Sequence, residues 1–208
     1  MDKSSQVNEV YKLLKKIYPK AITFLDYKSP FQLLIAVVLS AQTTDAQVNK
    51  VSPVLFEKYP DPKALMESKI EDVEKIIRST GFYKVKAKNI TGAAKKLYLD
   101  YNSEVPIDMD DLITLPGVGR KSANVVRAHC FNESAIIVDT HFSRVTKRIG
   151  LTNSVKPEVI ERDLLLITKK TIQTDFSMII NTHGRKICMA RKPLCGECVL
   201  SSICVFYN

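Results

Sequence analysis

The sequence predicts an all-α protein, and three observations carry that prediction. Segments with a readable period repeat apolar residues at three and four positions. Proline and glycine interrupt them so that helices of roughly ten to fifteen residues result, and few stretches show strand alternation. The first helix is expected in VNEVYKLLKKIY, residues 7–18. FQLLIAVVL, residues 31–39, is the longest uncharged apolar run, about half the length that crosses a bilayer. EDVEKIIRSTGFY, residues 71–83, takes the helical period after an acidic first turn. Breaks fall at Tyr59-Pro60-Asp61-Pro62, Gly81, Val105-Pro106, Leu115-Pro116-Gly117 and Gly150. The exception is AIIVDTHF, residues 135–142, whose β-branched run before a polar tip is a strand by propensity.

A chain of 208 residues suffices for one large or two small domains, each with its own core. It has no internal repeat, low-complexity tract or long linker, so two domains would share an interface. Lys+Arg number 31 against 22 Asp+Glu, a net charge of +9 with pI about 9.3, which favours a polyanionic partner: nucleic acid or an anionic membrane. MDKSSQVNEV lacks a signal-peptide core, and the expectation is a soluble, intracellular protein. Five cysteines is an odd number, and four fall in the last 21 residues, a layout suited to metal ligation in a reducing compartment rather than to disulfides.

LPGVGRKSANVV, residues 115–126, carries the first chemical motif. Gly117 and Gly119 can take positive φ and bring backbone N–H groups close to a phosphate, and a helix starting near Arg120 adds its positive end. Leu115 and Val118 would anchor the turn in the core, with Ala123, Val125 and Val126 continuing an apolar face. A helix C-cap followed by an ordinary helix would explain a lone GxG, but the whole twelve-residue pattern favours a DNA-gripping turn.

This stretch resembles the helix-hairpin-helix of the DNA glycosylases, and VDTH at 138–141 supplies the aspartate that those enzymes place a short way downstream. The resemblance makes Lys121 the nucleophile that attacks C1′ of the damaged nucleotide. An amine suits that task, because it passes on to a Schiff base that acidifies the C2′ proton for β-elimination. It must be neutral to attack, and lowering a lysine from about 10.4 to about 7.5 amounts to about 4 kcal/mol, which burial or cations such as Arg120 can supply. A carboxylate touching Lys121 would oppose this, so Asp139 is expected to stabilise positive charge on the sugar and to shuttle a proton. Its structural alternative is the N-cap of a helix starting at Thr140 or His141. Thr140, His141 and Arg144 are expected to be structural rather than catalytic.

CMARKPLCGECVLSSIC places Cys188, Cys195, Cys198 and Cys204 in a C-x6-C-x2-C-x5-C run, close enough together to share one metal centre. Structural zinc is the rival, yet zinc sites usually pair two CxxC knuckles and here only Cys195 and Cys198 form one. The spacing, with HGRKIC before it, matches the 4Fe-4S loop of endonuclease III and of its adenine-mismatch relative. The resemblance thus implies a 4Fe-4S cluster. Four thiolates around a typical oxidised core are net anionic, and Arg185, Lys186, Arg191 and Lys192 would offset them. Arg191 and Lys192, on a loop pinned at both ends, suit DNA phosphate contact, against the alternative of a solvated face. Cys130 is expected to be a buried thiol without a ligand role.

LLIAVVLSAQTTDAQVNK, residues 33–50, resembles the family's early helix and the loop that enters the DNA stack, with Gln42 in the wedge position. A long amide there would fill the gap left by an extruded base; alternatively Gln42 and Thr43 merely cap a buried helix. In GFYKVKAKN, residues 81–89, Lys84, Lys86 and Lys88 are expected to line a backbone groove.

The resemblance runs from about residue 8 to 204 and implies two helical domains. A six-helix domain with the hairpin would span 23–133, and residues 1–22 with 134–208 would form the iron-sulfur cluster domain, the active site lying in a cleft between them. On this view AIIVD is an approach to a helix. VFYN after Cys204 leaves no room for the recognition domain of the adenine-mismatch enzyme. The implied activity is that of a bifunctional DNA glycosylase/AP lyase of base excision repair, removing oxidised pyrimidines and nicking the abasic strand. The alternatives are a same-fold glycosylase for a pyrimidine dimer or mismatched base, or a non-catalytic cluster-bearing DNA-binding protein. The expected partner is double-stranded DNA with damaged bases or abasic sites. A monomer with no membrane role is expected, cytoplasmic or nucleoid-associated in a bacterium.

Overall fold

The computed structural model describes residues 2–21 and 23–207, and among them every regular element is a helix. Ile22, at one edge of the expected domain boundary, lies outside the described residues, as do the two chain ends. The chain divides into two compact units, Phe24–Asn132 and Met1–Thr23 with Glu133–Asn208.

The first of these units is built around α2 (Pro30–Leu39), in which Phe31 and every residue from Leu33 to Leu39 are buried. A helix apolar all round must be surrounded, and α2 contacts α3 (Asp45–Lys58), α6 (Tyr83–Asp100) and α8 (Arg120–Phe131). Its start is set by Ser29, whose hydroxyl accepts from the Gln32 amide at 3.2 Å, with Pro30 in the first turn. The connecting elements are α4 (Pro62–Met66), α5 (Ile70–Ile77) and α7 (Met109–Ile113), with Asp61 and Asp108 as N-caps for α4 and α7. The helical pattern over 71–83 is interrupted in the fold. After Ile77 comes a 3₁₀ turn, Arg78–Thr80, and then Gly81 (φ +67°) and Phe82 (φ +47°), whose left-handed backbone cannot continue a helix.

The other unit packs α1 (Lys3–Ile17), α9 (Thr140–Arg148), α10 (Pro157–Ile167) and α11 (Gln173–Lys186) around Val10, Leu14, Phe142, Phe176 and Ile179, all fully buried. Residues 135–138 are buried but form no strand or helix. The amides of Ala135 and Ile137 donate instead to Thr174 Oγ1 (3.2 Å) and Ser177 Oγ (3.0 Å) on α11. Their hydrogen-bonding need is met by helix hydroxyls, so β-propensity here reflects burial rather than sheet pairing. Gly150, at φ +81°, ends α9, and a Cβ there would lie 2.7 Å from Val205 Cγ2.

Among the described residues no helix is long and apolar enough to cross a membrane. Leu34 is fully buried in α2. Leu34→Ala is expected to lower unfolding free energy by about 2–5 kcal/mol, read from the midpoint of a urea transition followed by circular dichroism.

Candidate functional site

The hairpin follows α7 directly. Leu115 (2 % exposed) and Val118 (6 %) sit in the core and hold the turn between them. Gly117 adopts φ +79°, and a Cβ there would lie 2.9 Å from Asn89 Cβ and from Val38 Cγ1, so backbone conformation and close packing both demand glycine. Gly119 differs from the expectation of positive φ: it is the extended N-cap of α8, at φ −99°. Nothing lies within 4 Å of where its Cβ would be, so the space beside the start of α8 is open. Arg120 and Lys121 are exposed in that first turn. Lys121 is thus solvent-accessible rather than buried, while Ala123, Asn124, Val125 and Val126 on the same helix are buried.

Two further exposed tips belong to the same unit. Gln42 (φ +53°) stands in the loop after α2, and Phe82 (φ +47°), 68 % exposed, stands before α6. Holding a bulky side chain in the left-handed region costs about 1–2 kcal/mol. Such outliers persist where the surroundings over-determine them. Phe82 is not singled out in the sequence, where its only local signal is an aromatic directly after the break at Gly81. Lys84 and Lys88 are exposed, but Lys86 is buried and does not line a surface groove.

Asp139 is the N-cap of α9, with Oδ1 accepting from the Phe142 amide at 2.7 Å. Its Oδ2 accepts from Asn181 Nδ2, and Asn181 Oδ1 accepts from Arg185 Nε at 2.9 Å. That chain orients the Asn181 amide so that only its donor face meets the carboxylate. Arg144 donates to the carbonyls of Cys188 (3.0 Å) and Gly184 (2.8 Å), a bracing role within the protein. Asn181 carried no signal in the sequence, since its meaning lies in its position opposite Asp139.

Cys188, Cys195, Cys198 and Cys204 all line one pocket, together with Leu200, Pro193 and Phe206. Among the described residues no three His, Cys, Asp or Glu side chains converge on a single-ion site; the thiols ring a cavity instead. The Cys198 thiol is pushed up by burial and further by the other three cysteines, so four thiolates need a cationic centre among them. The donor set and the pocket therefore fit an iron-sulfur cluster. Arg148 Nη1 lies 3.4 Å from Cys188 Sγ and donates to the Met189 carbonyl at 2.7 Å, while its guanidinium stacks 4.4 Å over the Phe206 ring. His183 Nε2 lies 3.4 Å from Cys198 Sγ, and burial pushes the His183 imidazole down to about 4. Arg148 and His183 were not among the expected neighbours of the thiols. Of the expected bases, Arg185, Lys186, Arg191 and Lys192 are exposed, Lys192 at φ +50°. The half-buried Cys130 thiol in α8 is pushed up to about 11 by burial, in keeping with an inert side chain.

Comparison with known proteins agrees with this arrangement. The family model of the HhH-GPD superfamily base excision DNA repair proteins matches residues 35–170, and that of the iron-sulfur binding domain of endonuclease III matches residues 188–204. The class is therefore that of helix-hairpin-helix base excision repair proteins. Endonuclease III of Synechocystis sp. is 50 % identical over 203 residues, covering 97 % of this chain and 93 % of that relative. Endonuclease III of Escherichia coli (strain K12) is 39 % identical, covering 99 % and 97 %. The solved structure of a trapped endonuclease III-DNA covalent intermediate superposes with a TM-score of 0.95 at 42 % identity, covering all of this chain and 98 % of the other. The chain belongs to the endonuclease III family. It is a DNA N-glycosylase and AP lyase and carries a 4Fe-4S cluster.

Gly117→Ala is expected to weaken affinity for duplex DNA by fluorescence anisotropy and to destabilise the hairpin by more than about 1 kcal/mol, because strain and packing both oppose it.

Proposed function

We propose that the chain removes oxidised pyrimidines from double-stranded DNA and cleaves the resulting abasic strand by β-elimination through Lys121. The unit Phe24–Asn132 would engage the lesion through the hairpin, and the unit with Glu133–Asn208 would carry the cluster. The observation that carries the reading is an exposed lysine in the first turn of α8, directly after a hairpin in which Gly117 takes φ +79° and the space beside Gly119 is empty.

In the proposed reaction Lys121 Nζ forms a bond to C1′ as the C1′–N bond to the base breaks and the base leaves with a proton. The sugar ring opens to an imine, a C2′ proton is lost, and the C3′–O bond breaks to leave a nick 3′ to the lesion. Water then hydrolyses the imine and frees the amine. Asp139, held by the Phe142 amide and by Asn181, stabilises positive charge on the sugar as the base departs and accepts or relays a proton. Its capping and chemical roles are compatible, because the amide that orients the carboxylate leaves lone pairs free. Gly117, Gly119 and Arg120 hold phosphates, Gln42 fills the vacated base position, and Lys84, Arg191 and Lys192 contact the DNA backbone. Cys188, Cys195, Cys198 and Cys204 ligate the cluster, which supplies a covalent brace for the loop that presents Arg191 and Lys192. The enzyme works as a monomer inside the cell, in the cytoplasm or on the nucleoid of a bacterium.

Borohydride trapping on a duplex with one thymine glycol is expected to give a covalent adduct with wild type and none with Lys121→Ala. An adduct that survives the substitution would remove Lys121 from the nucleophile's role. Asp139→Asn keeps the N-cap oxygen but turns an NH2 toward the Asn181 donor, so its melting temperature should fall by a few degrees while single-turnover base release falls by about a hundredfold. Cys198→Ser is expected to lose the broad visible absorption and bound iron of the wild-type protein, measured by spectrum and iron assay.

A further inference from the structure

Lys86 lies in α6 at 4 % exposure, and its ammonium bonds only to neutral groups among the described residues. Nζ donates to Thr43 Oγ1 at 2.6 Å and to the Thr80 carbonyl at 2.8 Å. Thr43 Oγ1 in turn donates to the same Thr80 carbonyl. The three groups close a triangle whose donors and acceptors are mutually consistent: the hydroxyl gives its one hydrogen to the carbonyl and accepts one from the ammonium. Next to it Gln47 Nε2 donates to Ser79 Oγ at 2.7 Å.

These bonds join two segments far apart in sequence, the loop after α2 and the turn before α6. Each segment carries an exposed residue in the left-handed region immediately beside the tie. Gln42 precedes Thr43, and Phe82 lies two residues after Thr80. Burial lowers the Lys86 ammonium's affinity for its proton, so keeping a charge here works against the fold. A methionine of similar length would fill the space without that cost. What an apolar side chain could not do is hold both segments through directed bonds.

We propose that Lys86 is a positioning residue that locks the Gln42 loop to the Thr80–Phe82 turn, so that both tips meet DNA as one preformed unit. The inference rests on the reading of Gln42 as the residue that fills the vacated base position. Without the lock each tip samples alternative backbone conformations, and the ordering must take place during lesion engagement instead. Chemistry at a sugar that needs no extrusion from a stack does not depend on it.

The test compares strand cleavage at an abasic site in single-stranded DNA with kcat/KM on a thymine glycol duplex. It adds 2-aminopurine fluorescence beside the lesion as a direct readout of base extrusion. Lys86→Met is expected to lose about ten- to a hundredfold on the duplex, to blunt the fluorescence rise, to retain single-strand cleavage, and to melt at or above the wild-type temperature. Thr43→Val removes the same triangle from its other corner and should shift the two substrates in the same direction, which keeps the test decisive if Lys86→Met does not fold. A wild-type duplex rate in both variants, or equal losses on both substrates, overturns the proposal. Gln42→Ala separates the two layers. If it loses duplex activity while the lock variants do not, the Lys86 inference alone is wrong; if all three behave as wild type, the reading of the Gln42 tip falls with it.

Discussion

Four thiols line one pocket, and burial together with the other three cysteines resists charge on Cys198. A cationic cluster resolves that conflict, and much of the local structure is arranged around it. Arg144 bonds the Cys188 carbonyl and Arg148 the Met189 carbonyl, so two arginines of α9 hold the start of the cysteine loop. Phe206 donates its amide to the Arg148 carbonyl and stacks on the same guanidinium, which brings the end of the loop back to the same helix. Because Asp139 caps α9 at its other end, the loop that surrounds the cluster and the proposed catalytic carboxylate are carried by one rigid element.

In the unit Phe24–Asn132 the corresponding constraint is the burial of α2. A helix with no polar face imposes close approach on everything around it, and Val38 reaches to within 2.9 Å of where a Cβ at position 117 would stand. The hairpin therefore passes through a space that only glycine permits. Exposure and anchoring are thereby combined: Leu115 and Val118 are buried in the core while Gly119, Arg120 and Lys121 are exposed directly after them.

Helix content and punctuation were legible because proline, glycine and capping residues act locally. The breaks at Tyr59-Pro60-Asp61-Pro62, Gly81, Val105-Pro106, Leu115-Pro116-Gly117 and Gly150 all fall at or between helix ends in the fold. Local preference alone misleads where a distant partner intervenes, although the resemblance already made 135–138 an approach to a helix. The run at 135–138 has strand propensity, yet its amides are satisfied by Thr174 and Ser177, some forty residues away in the chain. Gly81 was legible as a break, whereas the positive φ of Phe82 beside it was not, since periodicity does not register backbone handedness. Lys86 looked like one of three groove lysines, and nothing nearby in sequence marked it as the one turned inward to Thr43 and Thr80.

The sequence by itself determined the all-helical class, the glycine-lysine hairpin, the aspartate at a helix start and the cysteine quartet with its spacing. These are short-range features, in which residue type and separation already constrain the chemistry. Tertiary structure alone decided that Gly117 is demanded by packing while Gly119 is left open, and that Asn181 orients Asp139. It also placed Arg148 and His183 against the thiols. Each of those facts joins residues from separate elements, and a hydrogen bond or a steric limit between them exists only once the cores have set the distances.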